Sequence, residues 1–499
     1  MASSKSYKEF EKLMKEIVIL NGIGGKIMWD QETYMPKAGM ETASEQMALI
    51  DSQVHKIITS RKMGRLIEEL EREYKNLDEY QRANLREMKW RRERDIKVPP
   101  KLIKEMSKAS VKGYEVWKKA KKRSDFSYFE PQLKKIIDLD IKYAKYIDPD
   151  RNSYEVLIED YEPFIGIREI KKIFADLGRG IVPLLKKIEE SDVDFKKDFL
   201  KRKYSKEKQF EFCKYIVREM GYDFGRGRLD ETVHPFTMGI SPFDVRITIE
   251  FDEHDPTKSI FSAIHEGGHG IYGQGLPKDH MFELVGLSRS LGVHESQSRL
   301  YENNIGRSKE FWEHFFPKLK KTFPKQLRRY DVEDFHKIVN EVKRTPIRIY
   351  ADELTYNLHI LVRFEIENEV INKKIEVREI PELWSEKMEE YLGIKPKNDR
   401  EGALQDVHWS NGMGYFPTYT IGSVLAAQIF EKLRDVMHIE DKIRNGEFQG
   451  VKRWLNENIH QKGSLYETGE LIKRATGKKL SAKDFLKYVK RKYGEIYGI

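Results

Sequence analysis

The stretch Ala263-Ile-His-Glu-Gly-Gly-His-Gly270 contains two histidines four residues apart, with a glutamate directly after the first. In a helix, His265 and His269 lie on one face, so both imidazoles can bind the same metal ion. Glu266 then lies on an adjacent flank, where it can take a proton from an activated water molecule. The stretch predicts a metal-binding helix that carries its own general base; the alternative is a helix with two buried histidines and no metal.

A third metal ligand follows in His294-Glu-Ser-Gln297. Asp255-Pro-Thr predicts the start of the first helix, and the later glycines and proline leave room for a loop before a second helix near Ser290. A catalytic zinc takes three protein ligands and keeps one open position for water. We therefore predict a site made by His265, His269 and Glu295.

The composition indicates a soluble, highly charged protein. Of the 499 residues 39% are hydrophobic and 35% are charged, and no apolar run approaches the length of a bilayer span. The polar first residues lack a signal-peptide core, so we expect a cytoplasmic protein. The single cysteine, Cys213, excludes an intramolecular disulfide and a multi-cysteine zinc site. Many Lys, Arg and Glu residues fit a heat-adapted protein.

The net charge of +9 does not indicate a nucleic-acid site. The densest basic stretches are 89–94 and 118–123, and both lie in strongly helical sequence with acidic residues interleaved. Solvated helix faces account for such stretches better than a binding surface for nucleic acid does.

Apolar residues at helical spacing predict a mainly α-helical chain. The predicted helices cover residues 5–21, 40–60, 62–93, 100–122, 129–147, 168–189, 205–220, 309–322, 332–342, 346–372, 380–393, 419–436, 448–458 and 481–496. The region 400–418, rich in Gly, Asn and Trp, is typical of a functional loop.

One segment, residues 232–251, departs from the helical pattern. It contains two prolines and then Val245, Ile247, Ile249 and Phe251 in alternation with polar residues. Period two predicts a small antiparallel sheet directly before the metal helix. An edge strand there could hold an extended peptide by main-chain hydrogen bonds; the alternative is a hairpin that only packs on the helices.

The two glycines inside the metal motif, Gly267 and Gly268, also need an explanation. Each costs a helix interior about 1 kcal/mol relative to alanine. We expect that they allow another backbone, or the substrate, to approach the helix closely.

Several motifs in one order give the chain a family resemblance. It resembles the Taq-type thermostable metallocarboxypeptidases in motifs that span residues 29 to 419: Trp29-Asp-Gln-Glu-Thr-Tyr-Met-Pro36, Tyr161-Glu-Pro163, His234-Pro-Phe236, Asp244-Val-Arg-Ile-Thr248, His265-Glu-Gly-Gly-His269, His294-Glu-Ser-Gln297, Ile347-Arg-Ile-Tyr-Ala-Asp352, Gln405-Asp-Val-His-Trp409 and Gly414-Tyr-Phe-Pro-Thr-Tyr419. Phe164 is a departure, because the resemblance implies glycine at this position.

The resemblance implies a single catalytic domain over residues 1–499, with two helical lobes flanking a deep central groove. This architecture is similar to that of angiotensin-converting enzyme and neurolysin, with the small sheet beside the active site. The resemblance further implies a homodimer that removes single residues from peptides with a free C-terminus, with broad specificity. From the interleaved charges and the lack of a long apolar run, we expect neither a nucleic-acid nor a membrane partner.

The metal and the catalytic groups follow from the motif and the resemblance together. We expect one divalent ion per chain, zinc first and cobalt or manganese as alternatives, because nitrogen and oxygen ligands suit all three. Glu266 would act as general base and then as general acid. By resemblance, Tyr419 is the first choice and Tyr415 the second for a hydroxyl that stabilises the oxyanion.

A carboxypeptidase must also recognise the carboxylate at the end of its substrate. By resemblance, Arg348 is the candidate, since a guanidinium binds a carboxylate with two parallel hydrogen bonds. The alternative is an ion pair between Arg348 and Asp352 on a helix surface. Arg246 is expected to form ion pairs within the sheet.

The remaining candidates have supporting roles. His234 and His408 are expected to donate hydrogen bonds to substrate carbonyls, with structural roles as the alternative. Asp406 and Gln405 are candidates for groups that orient the metal ligands.

Two other functions are compatible with parts of the sequence. An oligopeptidase that cuts internal bonds would use the same metal and base, because these do not set the position of cleavage. A helical nucleic-acid-binding or scaffold protein would carry an inert histidine pair and bind no metal.

Overall fold

The computed structural model describes residues 4–499, and helices make up 71% of it. One sheet is formed by β1 (Leu229–Glu231), β2 (Thr237–Ser241) and β3 (Asp244–Ile249). The prediction of a mainly α-helical protein with a small sheet is confirmed. Within residues 4–499, none of the helices combines the length and the apolar character that a bilayer-spanning segment needs.

In sequence, α-helices both precede and follow the sheet. The α-helices before the sheet are α1 (Lys5–Thr33), α2 (Met40–Thr59), α3 (Arg61–Arg72), α4 (Glu79–Lys97), α5 (Pro100–Arg123), α6 (Glu130–Ile147), α7 (Ser153–Glu159), α8 (Ile167–Glu189) and α9 (Lys206–Met220). Those after the sheet are α10 (Pro256–Gly275), α11 (Leu291–Arg299), α12 (Lys309–Thr322), α13 (Val332–Val339), α14 (Glu353–Ile371), α15 (Ile380–Leu392), α16 (Pro417–Met437), α17 (Ile439–Arg444), α18 (Phe448–Asn458), α19 (Thr468–Thr476) and α20 (Ala482–Tyr497).

Side-chain caps place two helix boundaries that periodicity alone does not. The predicted helix 62–93 is divided into α3 and α4, because Asp78 and Gln81 form a capping box that starts a new helix. The predicted helix 346–372 begins only at residue 353, since the Asp352 side chain accepts hydrogen bonds from the backbone of Leu354 and Thr355. Arg348 consequently lies in a short 3₁₀ turn before α14.

The sheet is mixed, so the prediction of a purely antiparallel sheet is wrong in one part. β2 pairs with β3 antiparallel as predicted, but β1 pairs with β3 parallel, in the order β1-β3-β2. The alternating residues Val245, Ile247 and Ile249 are buried. β3 is the most apolar strand and takes the central position, which places β1 and β2 on opposite edges.

Most of the buried hydrophobic residues fall into a large and a smaller cluster, and Ala83, Val285 and Leu465 form a third. The large cluster extends in sequence from Val98 to Tyr497 and includes the inner face of β3. A separate cluster joins α1 to α4 and includes Leu284, from the later 3₁₀ turn Leu284–Gly286. The helix with the two histidines, α10, belongs to the large cluster and packs against β3, α9 and α11.

The contact between α10 and α11 depends on Gly268. A Cβ atom added to Gly268 would lie 2.7 Å from the backbone oxygen of Gln297 and 2.8 Å from Cα of Ser298. The expected close approach of a second backbone is therefore confirmed for Gly268, whereas a Cβ atom at Gly267 would meet the Val217 side chain at 3.0 Å. It brings the C-terminal turns of α11 next to the motif on α10.

Candidate metal centre

His265, His269 and Glu295 form one cluster, as the sequence predicts. One ligand atom from each residue lies within 4.8 Å of the other two. Oε2 of Glu295 is 3.7 Å from Nε2 of His265 and 3.4 Å from Nε2 of His269. Asp255 caps α10 and Ser290 caps α11, both at the predicted helix starts. Two imidazole nitrogens and a carboxylate oxygen are the donors that a catalytic divalent metal takes.

The other ring nitrogen of each histidine has its own partner. Nδ1 of His265 lies 2.8 Å from Oε2 of Glu302, and Nδ1 of His269 lies 2.6 Å from Nδ1 of His294. Burial lowers the pKa of His294 well below its usual value, which keeps its ring neutral at pH 7. Both Nε2 atoms are thereby left for a metal, and the residues fit the ion that the motif implies.

The charges around the cluster favour a bound cation. Burial lowers the pKa of His265, but Glu295 and Glu302 outweigh that effect and raise it to about 9. Burial raises the pKa of Glu295, but Arg299 and the two histidines outweigh it, so the pKa is lowered and the carboxylate is ionised. Nε of Arg299 donates to Oε1 of Glu295 at 2.6 Å, on the carboxylate oxygen that the histidines do not face.

Glu266 lies beside the cluster and is 6% exposed. Its Oε2 atom accepts a hydrogen bond of 2.6 Å from the hydroxyl of Thr237, in β2. The sheet therefore approaches the metal motif through the side chain that the sequence predicts to be the base.

The cluster could hold a metal ion, and the sequence profile of the carboxypeptidase Taq (M32) metallopeptidase family matches residues 9–493. The chain belongs to this family. It is therefore a metallocarboxypeptidase, a hydrolase that acts on peptide bonds. The family predicted from the ordered motifs is confirmed.

Known members of the M32 family match over nearly their whole lengths. Carboxypeptidase 1 of Bacillus subtilis is 37% identical over 98% of both chains, and thermostable carboxypeptidase 1 of Thermus thermophilus is 38% identical over 100% of both. The solved structure of a family member from Deinococcus radiodurans superposes with a TM-score of 0.96 at 35% identity, covering 99% of this chain and 100% of that one.

Two tyrosines and a histidine lie together at the start of α16. The rings of Tyr415 and Tyr419 are edge to face at 5.4 Å, and Nε2 of His408 is 3.3 Å from the Tyr419 hydroxyl. One turn further along α16, Gly422 packs on the side chain of Glu295. The contact between α16 and α11 thus brings the helix that follows these side chains against Glu295.

Arg348 is buried, with an exposed fraction of 6%, and it makes no ion pair with Asp352. Its Nε and one terminal nitrogen donate to Oδ1 of Asp406 at 3.0 and 2.7 Å, and its other terminal nitrogen donates to the Tyr356 hydroxyl at 2.9 Å. The alternative interpretation, a surface ion pair with Asp352, is wrong, because Asp352 is used as the cap of α14.

Gln405 and Asp406 hold two arginines rather than the metal ligands. Oε1 of Gln405 accepts from the backbone of Arg348 and from Arg363, and Asp406 bridges the same two guanidinium groups. Burial raises the pKa of Asp406, but Arg363 and Arg348 outweigh it and lower the pKa. The prediction that these residues orient metal ligands is therefore wrong; they fix the position of Arg348.

The other two predicted residues lie on or beside the sheet. Arg246 forms an ion pair with Asp244, Nε to Oδ1 at 2.8 Å, which confirms its structural role. His234 is exposed on the loop between β1 and β2. Within residues 4–499 no hydrogen bond is formed by its ring.

Sequence reasoning missed five residues of the site: Arg299, Glu302, Thr237, Tyr356 and Arg363. Helical spacing could have indicated two of them, because Arg299 and Glu302 follow Glu295 by four and seven residues. Glu302 lies in a π-helical turn, Leu300–Ile305, that continues from α11. The other three are distant in sequence, and no local pattern links them to the motif.

Proposed function

We propose that the protein removes single residues from the C-termini of peptides, with broad side-chain specificity, by attack of a metal-activated water molecule. The observation that carries this proposal is the cluster of three ligand atoms within 4.8 Å beside the carboxylate of Glu266. His265, His269 and Glu295 would hold one divalent ion per chain, zinc in the first place and cobalt or manganese as alternatives.

Glu266 has the proton-transfer role in this proposal. When bound, the metal acidifies a water molecule and offsets negative charge on the carbonyl oxygen of the substrate. Glu266 takes a proton from the attacking water and later gives it to the leaving amine. The hydroxyl of Tyr419, or of Tyr415, donates a hydrogen bond to the developing oxyanion. Burial raises the pKa of both tyrosines, so both keep their proton at neutral pH.

Arg348 would set the position of the cut by binding the free carboxylate. A guanidinium has five N–H groups, and Arg348 uses three of them on Asp406 and Tyr356. One N–H group remains on each terminal nitrogen. A carboxylate could accept one hydrogen bond from each of these two groups. Its guanidinium carbon is 5.4 Å from the ring centre of Tyr419, so the anchor and the oxyanion donor are neighbours.

The substrate backbone would extend along β2, an edge strand of the sheet. A Cβ atom added to Gly239 would meet nothing within 4 Å, so one part of this strand is open. His234 and His408 are the proposed donors to substrate carbonyls. Burial lowers the pKa of His408 to about 4, which leaves a neutral ring near pH 7.

We further propose a single domain over residues 1–499 in which the two larger hydrophobic clusters belong to two lobes flanking a groove. The protein would be a cytoplasmic homodimer with peptide substrates and with neither nucleic-acid nor membrane partners. Its composition and its relatives named thermostable support stability at high temperature.

A time course of peptide products tests this function against internal cleavage. The purified protein is stripped of metal, reloaded with zinc, cobalt or manganese, and incubated with a peptide of about ten residues. We expect a ladder of products that lose one C-terminal residue at a time, and no products before reloading. Internal fragments as the first products would instead indicate an oligopeptidase.

A further inference from the structure

The hydroxyl of Thr237 is directed to the general base. Oγ1 of Thr237 is 2.6 Å from Oε2 of Glu266 and 3.2 Å from the Glu266 backbone oxygen. A hydroxyl has one proton to donate, and hydrogen bonds to ionised acceptors are shorter and stronger than those to neutral ones. The carboxylate therefore receives the proton of Thr237.

The segment that carries Thr237 is itself held in place from the buried side of the sheet. The side chain of Thr248 is fully buried, and its Oγ1 accepts a hydrogen bond from the backbone N–H of Phe236 at 2.8 Å. The backbone N–H of Thr248 donates to the oxygen of Phe236 at 3.0 Å, and Thr232 donates to Thr248 at 2.8 Å. These bonds fix Phe236, the residue before Thr237, so the Thr237 hydroxyl has little freedom to leave Glu266.

The two oxygens of the Glu266 carboxylate consequently differ. Oε2 is occupied by Thr237, whereas no group within residues 4–499 donates a hydrogen bond to Oε1. A general base must present one oxygen to the water from which it takes a proton. A fixed donor on one oxygen holds the plane of the carboxylate and leaves the other oxygen for that water.

We propose that Thr237 is a positioning residue that orients Glu266 for proton transfer. The water proton goes to Oε1 and from there to the leaving amine, and Thr237 keeps its own proton throughout. The inference rests on the proposed role of Glu266 as the base. It adds a second task to the edge strand β2, which orients the base as well as the peptide.

Steady-state kinetics of Thr237→Val and Thr237→Ser on a peptide with a free carboxylate test the proposal. Valine has the shape of threonine without the hydroxyl. We expect kcat to fall about 10- to 100-fold in Thr237→Val, with KM and bound metal unchanged, and Thr237→Ser to recover most of the loss. Thr420→Val is the matched control, because the buried Thr420 hydroxyl has no hydrogen-bond partner among residues 4–499 and its removal breaks none of their bonds.

A double-mutant cycle with Glu266→Gln distinguishes the positioning role of Thr237 from the proposed role of Glu266 as the base. If Thr237 acts through Glu266, adding Thr237→Val to Glu266→Gln causes no further loss of kcat. An equal further loss in that background, wild-type kcat in Thr237→Val, or loss of bound metal in Thr237→Val would each overturn the positioning role. Full activity of Glu266→Gln alone would instead overturn the proposed base, and the inference with it.

Discussion

Oε2 of Glu302 lies 2.8 Å from Nδ1 of His265, the ring nitrogen that the proposed metal does not use. The same carboxylate also accepts a hydrogen bond from Arg299 at 3.4 Å, so one side chain links a metal ligand to the arginine that holds Glu295. Glu302 thereby fixes the orientation of His265 and makes its Nε2 atom a better ligand.

Replacing Glu302 should weaken metal binding. In Glu302→Gln we expect the metal dissociation constant to rise about 10- to 100-fold, because the neutral amide polarises His265 less. Competition with a metal chelator measures this constant. Glu333→Gln is the control, since Glu333 forms an exposed ion pair with Lys309 away from the cluster. Equal metal affinity in both variants would contradict the role of Glu302.

Gly268→Ala should separate the two helices that carry the ligands. The added methyl group would overlap the backbone at Gln297 and Ser298, which cannot move without shifting α11 and Glu295. We expect a loss of about 1–3 kcal/mol in the free energy of unfolding and a lower metal content. Denaturant titration and metal analysis measure the two effects.

Gly450→Ala is the matched control for this substitution. Gly450 lies in α18, and a Cβ atom there would meet nothing within 4 Å. Because alanine favours a helix over glycine, this variant should be as stable as the wild type or more stable. A Gly268→Ala protein with unchanged stability and metal content would show that the close backbone approach is not needed.

The cluster of three candidate metal ligands could be predicted because helix geometry connects its members locally. His265 and His269 share a face at a spacing of four residues, and Glu295 follows in a second capped helix. The mainly helical fold could also be predicted, because the spacing of apolar residues along a helix is a local property of the sequence. The parallel pairing of β1 could not be predicted, since it depends on which strand is buried at the centre of the sheet.

The contacts of Arg348 could not be predicted from local sequence patterns. Its partner Asp406 is 58 positions away, and Asp406 in turn bridges to Arg363. No periodicity relates a turn before α14 to a loop before α16. Family resemblance therefore indicated Arg348 as a candidate, but the sequence did not predict the contacts that hold its side chain.

Phe164 occupies a backbone conformation that favours glycine, the residue that the family resemblance implies at this position. Its φ angle is +67°, and a left-handed conformation costs a residue with a side chain about 1–2 kcal/mol. The ring compensates by packing beneath Arg289, whose guanidinium carbon is 5.3 Å from the ring centre, and near Trp90 at 6.2 Å.

Two substitutions separate these opposing effects at Phe164. Phe164→Ala loses the ring contacts and keeps the unfavourable backbone, whereas Phe164→Gly loses the contacts but relieves the backbone. We expect the glycine variant to be more stable than the alanine variant by about 1 kcal/mol, measured by denaturant unfolding. An alanine variant at least as stable as the glycine variant would contradict this account.

A buried carboxyl should make the stability of the fold depend on pH. Asp140, in α6, is 4% exposed and accepts a hydrogen bond of 3.0 Å from the backbone of Met413, in the loop before α16. Burial, assisted by the charge of Glu367, raises its pKa from 3.8 to about 8. Its protonated form is favoured by folding, so the contribution is complete below about pH 4 and is lost as the pH rises through about 8.

Asp140→Asn tests this assignment because asparagine keeps an acceptor for Met413 but has no charge. Relative to the variant, the wild type should lose at least about 1.4 kcal/mol of unfolding free energy between pH 4 and pH 8, the equivalent of one pKa unit. Denaturant unfolding at a series of pH values measures the difference. Parallel curves for the two proteins would refute a titration of Asp140 in this range.

The central claim is that a metal centre and Arg348 together restrict cleavage to the last residue of a peptide. The most direct test is the ratio of kcat/KM for a peptide with a free carboxylate to that for its C-terminal amide, in the wild type and in Arg348→Gln. We predict a high ratio in the wild type and a ratio near one in the variant, because only the free carboxylate can pair with the guanidinium. Equal cleavage of acid and amide by the wild type would contradict the account.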